Sequence, residues 1–144
     1  MSIRVKTHAQ AARVLLVDDH PAVLKQVTQL LLGEFQVVAT LESGEGLSTA
    51  VQLHRPDVIV LDVTLPDVNG IELVTRLKRA GNACKFVFLT MHDDLDYAQA
   101  ALAAGAIGYV LKARLAADLI PAMRSALAGH RFVSPSSQLK ELKE

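Results

Sequence analysis

Short apolar runs alternate along the chain with segments whose apolar residues recur at helical spacing. The runs predict five β-strands, at residues 14–17, 35–40, 58–61, 86–89 and 107–111. The helical spacing predicts five helices, at residues 21–32, 44–53, 70–80, 94–104 and 115–128. Pro21 suits the first position of its helix, where no backbone N–H is needed, and Ser43 is predicted to cap the second helix. The pattern therefore repeats a strand and a helix five times.

A chain that alternates strands with helices forms a parallel sheet with helices on both of its faces. The predicted fold is therefore α/β, a doubly wound (βα)5 parallel sheet. The third strand is apolar throughout, which is typical of a strand that is buried on both faces. Residues 1–12 are predicted to be an N-terminal tail, residues 13–133 a single domain, and residues 134–144 a linker stub.

Polar side chains follow the predicted strands directly at their C-terminal ends. Asp18 and Asp19 follow the first strand, and Asp62 follows the third. Thr90 follows the fourth strand and Lys112 follows the fifth. In open α/β sheets, ligands bind outside the carboxyl ends of the strands, where the strand order reverses. The order 2-1-3-4-5, that of flavodoxin-like sheets, brings these side chains together at that point, and we favour it over 3-2-1-4-5.

Three carboxylates in one crevice repel each other, so positive charge must offset them. Lys112 supplies one charge, and Mg²⁺ is the natural second, because this ion prefers oxygen ligands and is often held by one or two carboxylates. The expected ligands are the side chains of Asp18, Asp19 and Asp62 and the backbone carbonyl of Thr64, with Asp18 acting through water. A carboxylate beside a metal ion and a lysine can attack phosphorus, which gives an aspartyl phosphate.

Composition and charge narrow the classes of function. The 144 residues carry 15 Lys+Arg and 15 Asp+Glu, and residues 14–136 alone carry 10 and 13 of them, a net charge of −3. Such a segment is a poor ligand for nucleic acid, because phosphate neutralisation needs clustered cationic side chains. The single cysteine, Cys84, excludes an internal disulfide, and no apolar run approaches the roughly 18 residues of a membrane helix. We expect a cytoplasmic protein that does not contact the membrane.

Four motifs together resemble the receiver domain of bacterial two-component response regulators. They are VLLVDDHP at 14–21, DVIVLDVTLPDVNG at 57–70, VFLTMHDD at 87–94 and GAIGYVLK at 105–112. The likeness covers about residues 13–133. The DDHP run, the MHDD run after Thr90 and the RFVSP run near the end are similar to the LuxR/NarL-type subfamily.

The resemblance implies a role for each residue of the site. Asp62 would be the phosphoacceptor for a sensor histidine kinase or phosphotransfer protein, with Lys112 and Mg²⁺ assisting. Thr90 would bind the phosphoryl group, and Tyr109 would turn inward as Thr90 moves, so that both are switch residues. The output face would comprise the fourth helix, the fifth strand and the fifth helix, and phosphorylation could produce a homodimer. Such a protein is not an enzyme, beyond assisting its own phosphorylation and dephosphorylation.

Two positions depart from the pattern common in this family. Many members have a proline after the lysine, joined by a cis peptide, whereas this chain has Ala113. A cis bond to a residue other than proline costs about 2.5–4 kcal/mol, so the sequence leaves the pose of Lys112 open. Many members have a small residue after the switch threonine, where this chain has Met91. We expect this longer side chain to restrict water and to slow dephosphorylation.

Other functions agree less well with the sequence. The nucleophile motif D-x-D-x-T is typical of aspartate-nucleophile phosphatases, but Val63, Thr64 and Leu65 follow Asp62, so the acid/base aspartate is missing. A flavin-binding protein of similar fold is disfavoured, because the chain has no tryptophan to stack on the flavin and its carboxylates would repel the flavin phosphate. The five histidines show no ligand spacing, which favours surface or capping roles.

The sequence leaves two alternatives for what the switch controls. Regulators of the LuxR/NarL type continue past the receiver into a helix-turn-helix domain, whereas only nine residues follow Pro135. We expect phosphorylation to control such a DNA-binding, transcription-regulating domain, which is absent from this chain. The alternative is a stand-alone receiver that regulates a protein partner.

Overall fold

The computed structural model describes residues 11–142, which form a six-stranded parallel sheet in the order β2-β1-β3-β4-β5-β6. The strands are β1 (Ala12–Val17), β2 (Phe35–Leu41), β3 (Val58–Asp62), β4 (Lys85–Thr90), β5 (Gly108–Leu111) and β6 (Phe132–Val133). The helices are α1 (Pro21–Leu31), α2 (Leu47–His54), α3 (Gly70–Arg79), α4 (Leu95–Ala104) and α5 (Leu115–Leu127), with 3₁₀ turns at Lys112–Arg114 and Lys140–Leu142. The predicted doubly wound fold and its strand order 2-1-3-4-5 are confirmed.

The strands alternate their side chains between two hydrophobic layers. On β3, Val58 and Val60 pack against α1 and α5, whereas Ile59 and Leu61 pack against α2, α3 and α4. All four of these side chains are fully buried. A strand with helices on both faces has no polar side, which explains the unbroken apolar run in the sequence. The first polar residue of β3 is Asp62, at its carboxyl end.

The second helix begins later than the sequence predicts. It starts at Leu47, and its N-cap is Gly46, whose φ of 83° lies in the left-handed region. The prediction that Ser43 caps this helix is therefore wrong. The Ser43 hydroxyl instead accepts a hydrogen bond from the backbone N–H of Glu45 within the preceding turn. A serine side chain bonds to nearby backbone groups as readily in a turn as at a helix start, so its presence alone did not fix the boundary.

The third helix begins where the sequence predicts, and its start supports the carboxyl end of β3. The Asn69 side chain caps it by accepting hydrogen bonds from the backbone N–H groups of Ile71 and Glu72. Gly70 donates its N–H to the carbonyl of Val63, and a Cβ atom at Gly70 would collide with the backbone oxygen of Asp62. The glycine is needed here for a close approach of two backbones, and its φ is not in the left-handed region.

The strand β6 was not predicted. It pairs with β5 at the edge of the sheet, with Phe132 opposite Gly108 and Val133 opposite Tyr109. A two-residue strand is too short to produce a detectable alternation of apolar and polar positions. The residues that follow are packed against the domain, because Ser134 is buried and Leu139 belongs to the hydrophobic layer that contains α4.

The ends of the described chain lie close to the predicted limits. Strand β1 begins at Ala12, so the last residue of the predicted tail already belongs to the sheet. Residues 1–10 of that tail lie outside the described residues. Between residues 11 and 142, no helix is both long and apolar enough to cross a membrane.

Candidate functional site

The amino group of Lys112 bridges two buried carboxylates at the carboxyl ends of the strands. Its Nζ atom lies 2.9 Å from Asp62 Oδ2 and 2.9 Å from Asp18 Oδ2. Asp18 and Asp62 are 2% and 5% exposed, and the Lys112 side chain is 8% exposed. The convergence of these three side chains, predicted from the strand order, is therefore present in the fold.

Hydrogen bonds from backbone N–H groups help to place the two carboxylates at the end of the sheet. The backbone N–H of Asp18 donates to the carbonyl of Leu41, just beyond the register of β1 with β2. Asp62 is the last residue of β3, and its Oδ1 accepts a hydrogen bond from the backbone N–H of Thr64 over 3.0 Å. Because β1 and β3 are neighbours with their carboxyl ends on the same edge, both carboxylates face one crevice.

The environment of Lys112 keeps its side chain charged. Burial by itself would lower the pKa of Lys112, but the contacts with Asp18 and Asp62 outweigh burial and raise the pKa above its ordinary value. The negative charges of the two carboxylates favour the protonated, positively charged form of the lysine. The lysine therefore acts as a fixed positive charge beside the Asp62 carboxylate.

Acidic oxygens and one imidazole gather where a metal ion was predicted. One ligand atom from each of Asp18, Asp19, His20 and Asp62 lies within 4.8 Å of the others. Asp18 Oδ2 lies 2.9 Å from the Lys112 ammonium, and Asp19 Oδ1 lies 3.2 Å from the His20 ring nitrogen. Clustered carboxylate oxygens are the ligands that a hard cation prefers, so the residues present fit Mg²⁺.

His20 is a member of this cluster that the sequence did not predict. Its Nδ1 atom lies 2.9 Å from Asp18 Oδ1 and 3.2 Å from Asp19 Oδ1. His20 is the N-cap residue of α1, but its side chain does not cap the helix. The general expectation of a surface or capping role for the histidines is thus incomplete here. The available signal was its position directly after the pair of aspartates.

An open cavity of about 350 Å³ adjoins the acidic cluster. Its lining comprises Asp19, His20, Asp62, Thr64, Met91 and His92. Met91 is 76% exposed and stands at this cavity, at the position where the sequence predicts restricted access. Thr64 pairs with Asn69 through an isolated antiparallel bridge, which fixes its backbone beside Asp62. The cavity is large enough for a phosphoryl group, and Asp62 is one of its lining residues.

The two predicted switch residues are joined through the backbone of His92. The Thr90 hydroxyl accepts a hydrogen bond from the His92 N–H over 2.9 Å, and the Tyr109 hydroxyl donates to the His92 carbonyl over 2.8 Å. Both side chains are fully buried. Burial is the main cause that raises the pKa of Tyr109 to about 12, a contact with Thr90 opposes it, and the negative charge of Asp94 adds to it. Tyr109 already points inward in this structure.

The peptide bond between Lys112 and Ala113 is trans. The sequence left this geometry open, because a residue other than proline follows the lysine. Lys112 instead opens the 3₁₀ turn Lys112–Arg114 directly after β5. The lysine therefore reaches Asp18 and Asp62 without a cis bond.

A family comparison agrees with the fold and with this arrangement of side chains. Residues 14–124 match the model of the response regulator receiver domain. The chain therefore belongs to the response regulator receiver domain family, whose members are signalling domains of two-component systems rather than enzymes in the usual sense.

The curated relatives that match are response regulators. The chain is 35% identical over 125 residues to response regulator GacA of Pseudomonas viridiflava, covering 85% of this chain and 58% of that protein. It is 34% identical over 134 residues to the transcriptional regulatory protein DegU of Brevibacillus brevis, covering 92% of this chain and 57% of that protein. The chain thus spans a little over half the length of these relatives.

Solved structures of similar fold include a response regulator of the LuxR family and the receiver domain of RcsB. A two-component response regulator of the LuxR family from Aurantimonas sp. SI85-9A1 has a TM-score of 0.84 at 34% identity, covering 92% of this chain and 97% of that one. The isolated receiver domain of RcsB from Salmonella enterica serovar Typhimurium, in the presence of the phosphomimetic BeF3−, has a TM-score of 0.82 at 26% identity, covering 93% and 99%. The predicted resemblance to LuxR/NarL-type receivers is confirmed.

Proposed function

We propose that this domain is a phosphoacceptor switch in which Asp62 receives a phosphoryl group from a sensor histidine kinase or phosphotransfer protein. The observation that carries the proposal is the ion pair between the buried Lys112 ammonium and Asp62, a residue that lines an open cavity. An Asp62 carboxylate oxygen forms a bond to phosphorus while the phosphorus–nitrogen bond of the donor phosphohistidine breaks, and the histidine leaves. Both oxygens of the carboxylate are held by hydrogen bonds, which orients it for this attack.

Lys112 has a defined task in this reaction. Negative charge remains on the phosphoryl oxygens as the group is transferred, and a preorganised cation stabilises that charge. The Lys112 ammonium lies beside the attacked carboxylate before any phosphorus arrives, so no reorganisation is needed. Asp18 holds the other side of the ammonium and keeps it in place.

Mg²⁺ is the cofactor that the acidic cluster fits. Asp18, Asp19 and Asp62 would hold it with their carboxylates, and the backbone carbonyl of Thr64 is the fourth proposed ligand. When bound, the ion neutralises charge on the phosphoryl oxygens and on the three carboxylates. The His20 ring reaches two of these carboxylates and would have to share them with the ion.

Thr90 and Tyr109 are the proposed switch residues. The Thr90 hydroxyl is bonded to the N–H of His92, and His92 lines the cavity. A phosphoryl group on Asp62 would offer this hydroxyl a charged acceptor, which is a stronger partner than a neutral one. The resulting change would pass through His92 to Tyr109 and so to the surface of α4, β5 and α5.

We further propose that the switch acts in the cytoplasm on a DNA-binding, transcription-regulating domain. The support is that the relatives are longer proteins named as regulators, among them a transcriptional regulatory protein. The net negative charge of residues 14–136 argues that this segment does not bind DNA itself. Phosphorylation-dependent homodimerisation is part of the proposal. A stand-alone receiver that regulates another protein is the alternative, and the reading frame beyond codon 144 of the native gene distinguishes the two.

Phosphorylation by a small donor tests the central proposal. The protein is incubated with acetyl phosphate and Mg²⁺, and its intact mass is measured. The expected result is the addition of one phosphoryl group, which chelation of Mg²⁺ prevents. Asp62→Asn should abolish the adduct, whereas Asp96→Asn, an exposed aspartate on α4, should leave it unchanged. The absence of an adduct from both acetyl phosphate and a phosphorylated histidine kinase would contradict the proposal.

A further inference from the structure

The residue that follows β6 is a fully buried serine with both of its hydrogen-bonding capacities in use. Ser134 is 0% exposed, and its hydroxyl accepts a hydrogen bond from the backbone N–H of Leu111 over 3.0 Å. The same hydroxyl donates to Asp118 Oδ2 over 2.7 Å. Pro135 comes next and has no N–H to extend the pairing of β6 with β5. The Ser134 hydroxyl thus accepts the hydrogen bond from the Leu111 N–H, which a backbone carbonyl would accept if β6 were longer.

The carboxylate of Asp118 joins this serine to the turn after β5. Asp118 lies in the first turn of α5 and is 5% exposed. Besides the Ser134 hydroxyl, it accepts hydrogen bonds from Arg114 Nε over 2.8 Å and from Arg114 Nη2 over 3.2 Å. A bidentate pair of this kind fixes the direction of the guanidinium as well as its distance.

These bonds hold the chain on both sides of Lys112. Leu111 precedes the lysine directly, and Arg114 is the last residue of the 3₁₀ turn that the lysine opens. Ala113, between Lys112 and Arg114, adds no restraint of its own on the backbone, because only proline fixes φ. The Lys112 amino group must nevertheless meet Asp18 and Asp62 at 2.9 Å each.

We propose that Ser134 and Asp118 are positioning residues for Lys112, and that through them the segment which leaves the domain is coupled to the phosphorylation site. The proposal rests on the proposed function of Asp62 and Lys112. Neither residue touches the phosphoryl group. They act by fixing Leu111 and Arg114, and thereby the point from which the lysine side chain extends.

The coupling works in both directions. A segment that holds Lys112 in place is itself held more firmly when the lysine has a phosphoryl group to bind, because the free energy that links two sites is reciprocal. Ser134 starts the stretch that contains Leu139, which belongs to the same hydrophobic layer as Tyr109 and Val133. The chain that exits the domain is therefore connected to the site by a short, buried hydrogen-bonded path.

The test compares phosphorylation rates of full-length variants. Ser134→Ala removes both hydrogen bonds, and Asp118→Asn keeps the shape of the side chain but removes its charge. The control is Ser136→Ala, in the same segment, whose hydroxyl accepts a hydrogen bond from the backbone N–H of Leu139. Acetyl phosphate supplies the phosphoryl group, intact mass gives the rate at saturating Mg²⁺, and thermal melting identifies the temperature at which every variant is folded.

Mispositioning should affect the maximum rate and leave ion binding unchanged. We expect Ser134→Ala and Asp118→Asn to phosphorylate about tenfold more slowly, since small misplacements of a catalytic group have effects of this order or larger. The Mg²⁺ concentration at half-maximal rate should stay the same, because the acidic ligands are untouched. Ser136→Ala should match the wild type in both quantities. A general loss of structure would instead change both quantities together.

A second measurement reports on the lysine without any chemistry. The Cε–H signals of Lys112 in a ¹H–¹³C spectrum should shift in Ser134→Ala and Asp118→Asn, and should stay in place in Ser136→Ala. If the wild type takes up no phosphoryl group but these signals shift, the proposed function fails and the positioning role stands. If the wild type is phosphorylated and the folded Asp118→Asn variant has a wild-type rate and unshifted signals, the positioning role is overturned. If Ser134→Ala does not fold, the result for Asp118→Asn alone decides whether the positioning role is overturned.

Discussion

The hydroxyl group of Tyr109 on β5 donates a hydrogen bond to the backbone carbonyl of His92, 2.8 Å away in the loop between β4 and α4. The backbone N–H of His92 donates a hydrogen bond to the Thr90 hydroxyl. One loop residue thus connects the end of β4, next to the proposed phosphorylation site, with a buried aromatic ring on the neighbouring strand. In this structure the Tyr109 ring is fully buried.

The burial of Tyr109 should make stability depend on pH in the alkaline range. Its pKa is raised to about 12, whereas an unfolded tyrosine ionises near 10. The unfolded state therefore loses its proton first, so the contribution is unaffected below pH 10 and is lost as the pH rises to about 12. The free energy of unfolding should fall by about 2–3 kcal/mol across this window from Tyr109 alone.

Tyr109→Phe should remove that part of the pH dependence, measured by denaturant unfolding at several pH values. Tyr97→Phe is the matched control, because it changes the only other tyrosine, which is half-buried and stacks on the His92 ring. Equal slopes for the wild type and Tyr109→Phe between pH 10 and 12 would refute the prediction.

Lys112 should compete with Mg²⁺ for the carboxylates of Asp18 and Asp62. Lys112→Met should slow phosphorylation strongly, because the preorganised charge beside Asp62 is lost. The same variant should bind Mg²⁺ about tenfold more tightly, since one positive charge beside the proposed carboxylate ligands is removed from a partly buried site. Calorimetric titration measures the affinity. Lys85→Met, at the opposite end of β4, should leave both the affinity and the rate unchanged, and weaker Mg²⁺ binding in Lys112→Met would speak against the competition.

Gly70 should be required at the carboxyl end of β3. In Gly70→Ala the added methyl group would meet the backbone oxygen of Asp62, so the strand end that carries the proposed phosphoacceptor must shift. We expect a loss of about 2 kcal/mol in the free energy of unfolding together with slower phosphorylation, since overpacking typically costs about 1–3 kcal/mol. In Gly33→Ala the methyl group meets nothing within 4 Å, but φ there is +95°. This control should lose stability and keep its rate of phosphorylation at temperatures where it is folded.

Met91 should influence how long the phosphoryl group persists. The side chain is exposed at the cavity above Asp62, where it can exclude the water that hydrolyses the aspartyl phosphate. Met91→Ala should therefore lose its phosphoryl group several times faster than the wild type after the donor is removed. Leu53→Ala changes an equally exposed apolar residue on α2 and serves as the control. Identical phosphoryl lifetimes for the wild type and Met91→Ala would dismiss the role of this residue.

The sequence by itself determined the fold and the centre of the site. Strands buried on both faces read as apolar runs, and the polar residue that ends each run marks the carboxyl edge of the sheet. Asp18, Asp62 and Lys112 could therefore be placed together from the strand order alone. The strand order was chosen because it brings these charged side chains to the same part of the sheet. These predictions succeeded because they depend on backbone topology, which local pattern and connectivity decide.

Tertiary structure alone decided the partners that hold the site. The contact of the His20 ring with Asp18, the path from Thr90 to Tyr109 and the bond between Ser134 and Asp118 depend on the rotamer of each side chain. The bond between Ser134 and Asp118 also depends on β6, a two-residue strand that is too short to be predicted from a local sequence pattern. The hydrogen bond between Ser134 and Leu111 likewise joins residues 23 positions apart. A sequence pattern records which face a residue occupies, but packing of the whole domain selects the atom it meets.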